Sequence, residues 1–304
     1  MHNNLATNIR KIFPNLRWKK AKLITSGWDY DILLLDDNFV VRIPKNIEAK
    51  KRMLVDFCLL TYLQKKIDAN IPIPIQKDAK TKIVVYKTVG GVAMSEARYR
   101  KLSFPQKNKF SKSLAVFLSQ LHKIPNDAAR QCHVPKKNII IQNKEAVSNA
   151  KSIYSYLTQQ EKNALDNFME KRKKTLKGFR PTLIHDDLTG ENIFINKNPI
   201  DNLGIIDFSD ASLDDPARDF AAFFSYSGQF VRQVLKYYQG TSKQKIFERA
   251  WIYYQEMAIK LMALAIKGSK LISIKNAKKL LQQRLNIKKG VTVRYTLPPI
   301  GDEH

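Results

Sequence analysis

Up to about residue 90, apolar positions come in short runs broken by turn residues; beyond residue 104 they fall into stripes of helical period. Residues 32–35 and 39–43 are apolar runs divided by Asp36-Asp37-Asn38, good turn chemistry, so 21–44 predict paired strands. Residues 48–66 carry Leu54, Phe57, Leu60 and Leu63 at helical spacing and predict a helix. Ile71-Pro72-Ile73-Pro74 ends that pattern, because two prolines force extended backbone. Residues 81–88 read as another strand, running to Gly90-Gly91. Residues 1–20 mix charge with Ile9, Ile12, Phe13, Leu16 and Trp18, as in an amphipathic helix leading into a strand.

From residue 104 the helical pattern dominates. Leu114, Phe117, Leu118 and Leu121 form one stripe, 154–168 a weaker one, and 220–238, 246–265 and 277–285 three more. Strands, a helix and a strand followed by a long helical region predict an α+β chain with two lobes: a small β-rich N-lobe and a larger, mainly helical C-lobe. The Gly90-Gly91 pair marks the boundary, giving residues 1–89 and 90–304.

Composition changes this picture little. With 44% apolar residues in 304, the chain can bury a real core. No run approaches the ~18 apolar residues that cross a bilayer, and the start lacks a signal core. Cys58 and Cys132 lie far apart without a C-x-x-C motif, so they read as buried thiols of a reducing cytoplasm. The net charge of +26 is extreme, with its densest cluster at Lys171-Arg172-Lys173-Lys174. No zinc spacing or aromatic RNA-binding signature accompanies it, so it reads as a solvated basic surface and not a nucleic-acid site.

The chemistry concentrates in His185-Asp186-Asp187-Leu188-Thr189-Gly190-Glu191-Asn192, followed by Gly204-Ile205-Ile206-Asp207-Phe208. An H-x-D-x-x-x-x-N segment ahead of an apolar strand ending in D-F is the layout of a phosphoryl-transfer site. Asp187 would orient and deprotonate an acceptor hydroxyl, while Asn192 and Asp207 offer hard oxygen ligands for Mg²⁺. His185 reads as scaffold, its ring bonding backbone or the Asp207 region. Asp215-Pro216 looks like a helix start, Asp219 a brace for the catalytic loop, and Asp210 close enough to Asp207 to touch substrate or metal.

These segments resemble the two signature segments of the aminoglycoside phosphotransferases, which share the protein-kinase fold. The small-lobe stretches Ser26-Gly27-Trp28-Asp29 and Val41-Arg42-Ile43-Pro44-Lys45 resemble the 2″-phosphotransferase branch, and the likeness covers roughly residues 20–225. The resemblance implies ATP or GTP between the lobes, its base on the linker around Tyr86 to Val89. It also implies a phosphate-gripping lysine on the third strand, held by an acid of the next helix. Arg42 stands at that position, and a planar fork does not replace a compact ammonium neutrally. Asp56, on the face of Leu59, Leu60 and Leu63, is its expected partner, with Glu48 the second choice. The phosphate-covering loop has Gly27 alone.

The expected reaction is transfer of a γ-phosphate to a hydroxyl of a small molecule, an aminoglycoside by resemblance, with Asp186, Asp210, Glu248 and Glu256 as candidate acceptor contacts. The region after Asp219 is nevertheless poor in acids, which would not suit a polycation. Aromatic residues such as Tyr226, Tyr253 and Tyr254 could line a less charged pocket. The alternatives are a kinase of another small alcohol (macrolide, sugar or amino alcohol) and a non-catalytic nucleotide-binding pseudokinase. Whether the chain is a monomer or a dimer is not legible.

Overall fold

Alternation along three strands decides what each face of the first sheet carries. In the computed structural model, which describes residues 2–25, 29–196, 203–288 and 291–292, this sheet is antiparallel. Its strands are β1 (Ala21–Ile24), β2 (Tyr30–Leu35), β3 (Phe39–Pro44), β4 (Ile73–Lys77) and β5 (Val84–Lys87), in the spatial order β1-β2-β3-β5-β4. Leu33, Leu35, Val41 and Val85 point to one face, where helix α1 (His2–Ile12) and the turn after it supply Ile9, Phe13, Leu16 and Trp18. Tyr30, Val84 and Tyr86 point to the other, against Met53, Leu60 and Leu63 of α2 (Ile47–Leu63). Arg42 follows Val41, so the period of two puts it on the α2 face. The Gly27 loop and the terminal Asp302-Glu303 lie outside the described residues.

A turn at Gly90-Gly91 leads into the second region. Gly91 has φ +112°, and a Cβ there would stand 2.6 Å from the Ile195 carbonyl oxygen, so glycine is needed for this close pass. Next come β6 (Val92–Ala93), α3 (Glu96–Arg100) and α4 (Phe104–His122), the last started by a Ser103/Gln106 capping box. Helices α5 (Asn126–Gln131), α6 (Ile139–Ile153) and α7 (Gln159–Thr175) follow. Four short strands then frame the site: β7 (Thr182–Ile184) pairs with β10 (Ser212–Asp214), and β8 (Ile193–Ile195) lies between β6 and β9 (Leu203–Ile205). The chain continues through α8 (Arg218–Ala221), α9 (Gly228–Tyr237), α10 (Lys243–Ile266) and α11 (Ile274–Arg284). The fold is α+β and two-lobed, with a sheet-based N-terminal part and a helical C-terminal part. No described helix is long and apolar enough to cross a membrane.

Three expectations are corrected. Residues 220–238 are not one helix: Ser227, with φ 177°, is extended and caps α9 by accepting from Phe230 N–H, which breaks the run. Asp215 does not cap a long helix; α8 has four residues and begins at Arg218. Cys58 and Cys132 are not free thiols but form a disulfide, with their Cα atoms 5.4 Å apart. Their separation of 74 residues hid this pairing, and it removes the basis on which the cysteines pointed to a reducing compartment.

Candidate active site

The segment that begins at His185 is held by Asp219. His185 and Asp186 at the end of β7 donate their backbone N–H groups to its two oxygens, at 3.0 and 2.8 Å. His122 of α4 adds its Nε2 at 3.1 Å, and its Nδ1 meets the Tyr238 hydroxyl at 2.8 Å. Burial would push the Asp219 carboxyl up, but these donors and the nearby His122 hold it below the ordinary aspartate range.

His185 is fully buried and sits against the Phe208 ring. Its Nε2 lies 3.0 Å from the Ile206 carbonyl oxygen, and its Nδ1 accepts from Asp187 N–H at 3.3 Å. That pairing sets the tautomer, with the proton on Nε2, and ties the loop to the strand leading to Asp207. These contacts join the 185–187 turn to the strand before Asp207.

Asp187 and Asn192 close the loop on each other. The Asn192 amide donates to both the backbone oxygen and the Oδ2 of Asp187, each at 2.8 Å. Both amide protons are thereby engaged, and Oδ1 is the atom left to meet a cation. Burial, then the Asp207 and Asp210 charges, raise the Asp187 carboxyl to about 6 against the pull of His185 and Asn192. Such a group is still ionised at neutral pH and is a stronger base than an exposed aspartate.

Asp207 adopts a left-handed backbone (φ 66°) at the end of the β9 segment. Its Oδ1 accepts from the Ser209 hydroxyl at 2.7 Å and from Arg42 Nη2 at 3.2 Å. Burial raises its carboxyl, but Arg42 and Ser209 outweigh that and leave it lowered. Arg42 reaches Asp56 with its other terminal nitrogen, at 3.5 Å. Asp56 is wholly buried and accepts from the Tyr86 hydroxyl at 2.6 Å. Burial pushes the Asp56 carboxyl above its ordinary range, with Arg42 and Tyr86 pulling it back. Asp56 is thus the partner of Arg42, while Glu48 is exposed and pairs with Lys51.

The structure moves several expected residues. Tyr86, expected at the nucleotide linker, is buried on β5, and its hydroxyl faces Asp56. Val89 packs beside Gly204, where a Cβ would stand 2.3 Å from its Cγ1. Glu248 accepts from Gln244 on α10 and does not line the cavity beside Asp187. Asp210 shares the carboxylate cluster, its carboxyl raised by burial and by Asp186 and Asp207, but is not on the cavity wall. Asp215 is structural: Arg249 binds it through two nitrogens at 2.6 and 3.0 Å, and Tyr253 adds its hydroxyl.

That cavity has a volume of about 760 Å³ and runs from Asp187 between α6 and α10. Asp186 and Glu256 do line it, as do Tyr226, Tyr253 and Tyr254. Sequence reasoning missed the cations that hold these acids. Lys137 and Arg218 both bind Asp186, and Arg172, assigned to a solvated cluster, is buried against Glu256 at 2.9 Å. The available signal was Arg218 itself, one residue before Asp219 in an acidic stretch.

The donor set suits a hard cation: the Asn192 carbonyl oxygen and the Asp207 carboxylate supply oxygen, and waters and phosphates would complete the sphere of Mg²⁺. Carboxylates facing a bridging guanidinium in the gap between sheet and helical body mark a kinase-like phosphotransferase. The chain belongs to the phosphotransferase enzyme family, APH, whose sequence model matches residues 20–252. It is similar to the GDP complex of aminoglycoside 2′-phosphotransferase-IIIa, with a TM-score of 0.85 and 21% identity, covering 93% of this chain and 98% of that one. Macrolide 2′-phosphotransferase type I has a TM-score of 0.68 and 17% identity, covering 91% and 96%. The uncharacterized protein YcbJ of Bacillus subtilis (strain 168) is 21% identical over 263 residues, 81% of each chain.

Proposed function

We propose that this phosphotransferase moves the γ-phosphate of ATP or GTP to a hydroxyl of a small molecule, with Asp187 as the base. The observation that carries the reading is the pairing of Asp187 with Asn192 at 2.8 Å beside the Arg42–Asp207 contact at 3.2 Å. A carboxylate held to accept a proton thus stands next to a cation able to meet phosphate oxygens. GDP in the similar aminoglycoside enzyme supports a nucleotide donor.

In the proposed reaction, Asp187 accepts the acceptor's hydroxyl proton as its oxygen bonds to the γ-phosphorus. The bond from that phosphorus to the β–γ bridging oxygen breaks, and the nucleoside diphosphate leaves with the electron pair. Arg42, fixed by Asp56, would grip the phosphates, and Asp207 and Asn192 would hold Mg²⁺. That ion would neutralise charge on the phosphate oxygens. Asp219 and His185 keep the loop in place. Residues 1–89 would act as the nucleotide lobe and 90–304 as the lobe carrying loop and acceptor. A cytoplasmic location goes with a nucleoside triphosphate donor. The aminoglycoside and macrolide phosphotransferases among the similar structures support a hydroxyl-bearing small molecule as the acceptor.

The test is diphosphate release and phosphorylated acceptor, measured for the wild type and for Asp187→Ala. Loss of the base should lower turnover by about 10²–10⁴-fold. Equal turnover in both proteins would sink the assignment.

A further inference from the structure

The ion pairs on the acceptor wall carry more information than the catalytic loop does. We infer that the acceptor is a non-cationic alcohol, an uncharged or anionic hydroxyl compound, and not a polycation. This rests on the phosphotransferase reading above.

The cavity beside Asp187, about 760 Å³, suits a molecule of glycoside size. As many cationic as carboxylate side chains line it. What decides the matter is which carboxylates are free. Asp186 has a side chain only 4% exposed, and Arg218 Nε meets its Oδ1 at 2.6 Å while Lys137 holds its Oδ2. Arg218 also lies 3.5 Å from Asp214, which accepts from Gln142 at 2.6 Å. Glu256 is held by Arg172, whose side chain is 5% exposed and also donates to Asn143. Both oxygens of Asp186 are taken, and an ammonium at Glu256, already neutralised by Arg172, would set a second cation beside that buried guanidinium.

The remaining acids do not replace them. Asp187 is occupied by the chemistry, and Glu96, Glu145 and Glu191 are exposed at the rim, where solvent weakens their pull. Further cations line the same cavity. Lys260 is exposed on α10 without an ion pair among the described residues, and Arg284 lies 3.9 Å over the Tyr254 ring. The chain's charge of +26 adds a repulsive background for any polycation. A hydroxyl-rich molecule can use the tyrosine faces and Gln142 without opposing this field, and an anionic group would meet Lys260 and Arg284.

Kanamycin, a polycation, is the direct probe. Calorimetric titration into the nucleotide-loaded full chain should give a Kd weaker than ~1 mM. Lys260→Glu, on an exposed turn of α10, should tighten it at least about fivefold by exchanging a repulsive charge for an attractive one. Wild-type binding tighter than ~1 mM, or no gain in Lys260→Glu, overturns the inference. Diphosphate release in the wild type and Asp187→Ala, assayed in parallel, tests the underlying reading. Tight kanamycin binding with Asp187-dependent turnover would refute the acceptor class alone, whereas Asp187-independent turnover would refute the chemistry.

Discussion

Arg42 stands 3.2 Å from Asp207 and at the same time 3.5 Å from Asp56, so one guanidinium joins a carboxylate of the helical body to a carboxylate buried beneath the sheet. A lysine at this position would bring one compact charge. The planar fork meets both acids with separate nitrogens, and that geometry is what the substitution would lose.

Arg42→Lys should therefore weaken nucleotide use without abolishing it. The ammonium cannot span both carboxylates, so kcat/KM for nucleotide should fall by about 10-fold, a loss near one charged hydrogen bond. Arg42→Ala should fall at least about 100-fold, because Asp56 is then buried unpaired. Steady-state kinetics over a nucleotide range check both values. An Arg42→Lys enzyme faster than the wild type would show that the bridge restrains the site.

Tyr86→Phe removes the 2.6 Å hydrogen bond to Asp56 and almost nothing else. The variant should lose about 1–3 kcal/mol of stability, the usual cost of leaving a buried acceptor short of a donor. Urea unfolding measures this. The accompanying kinetic change should lie in the nucleotide KM, since Asp56 positions Arg42. A change confined to the acceptor KM would contradict this placement of Tyr86.

Local signals were legible in the sequence; partners across long separations were not. Asp187 and Asn192 lie on one loop and Asp207 just past the adjoining strand, so spacing was enough to group them. Asp56 was readable because helical period puts it on the buried face with Leu59 and Leu60. The Tyr86 hydroxyl meets Asp56 across 30 residues, and only the packing of α2 on the sheet brings them together. Lys137 and Arg218 reach Asp186 from 49 and 32 residues away, and no local pattern marks them. Glu248 and Glu256 share α10 but differ by about 80° around its axis at 3.6 residues per turn, so one lines the cavity and the other does not.

Acid should weaken the fold partly through Asp219. Its carboxyl is lowered in the folded chain from an ordinary value of 3.8. The folded state binds the proton less readily than the unfolded one. Its contribution is therefore complete above the ordinary value, fades as pH falls through the folded value, and is absent below both. Asp219→Asn should be less stable than the wild type at pH 7, and the gap should narrow below about pH 4. Urea unfolding of both proteins at the two pH values is the measurement; a gap that widens in acid contradicts the assigned sign.

The disulfide makes a prediction about the whole molecule. Cys58 follows Asp56 by two residues on α2, and Cys132 lies just past α5, so the bond ties the helix that positions Arg42 to the helical body. Oxidised protein should show no thiol reactive with Ellman's reagent in denaturant, and two after reduction. Closing a loop of 74 residues should stabilise the chain by about 3–5 kcal/mol over the reduced form, by the chain-entropy argument. Cys58→Ser should reproduce the reduced form's unfolding midpoint. It should also raise the nucleotide KM, because α2 is then free to carry Asp56 away from Arg42. If reduction lowers stability yet leaves that KM unchanged, the bond staples the fold without acting on the nucleotide site.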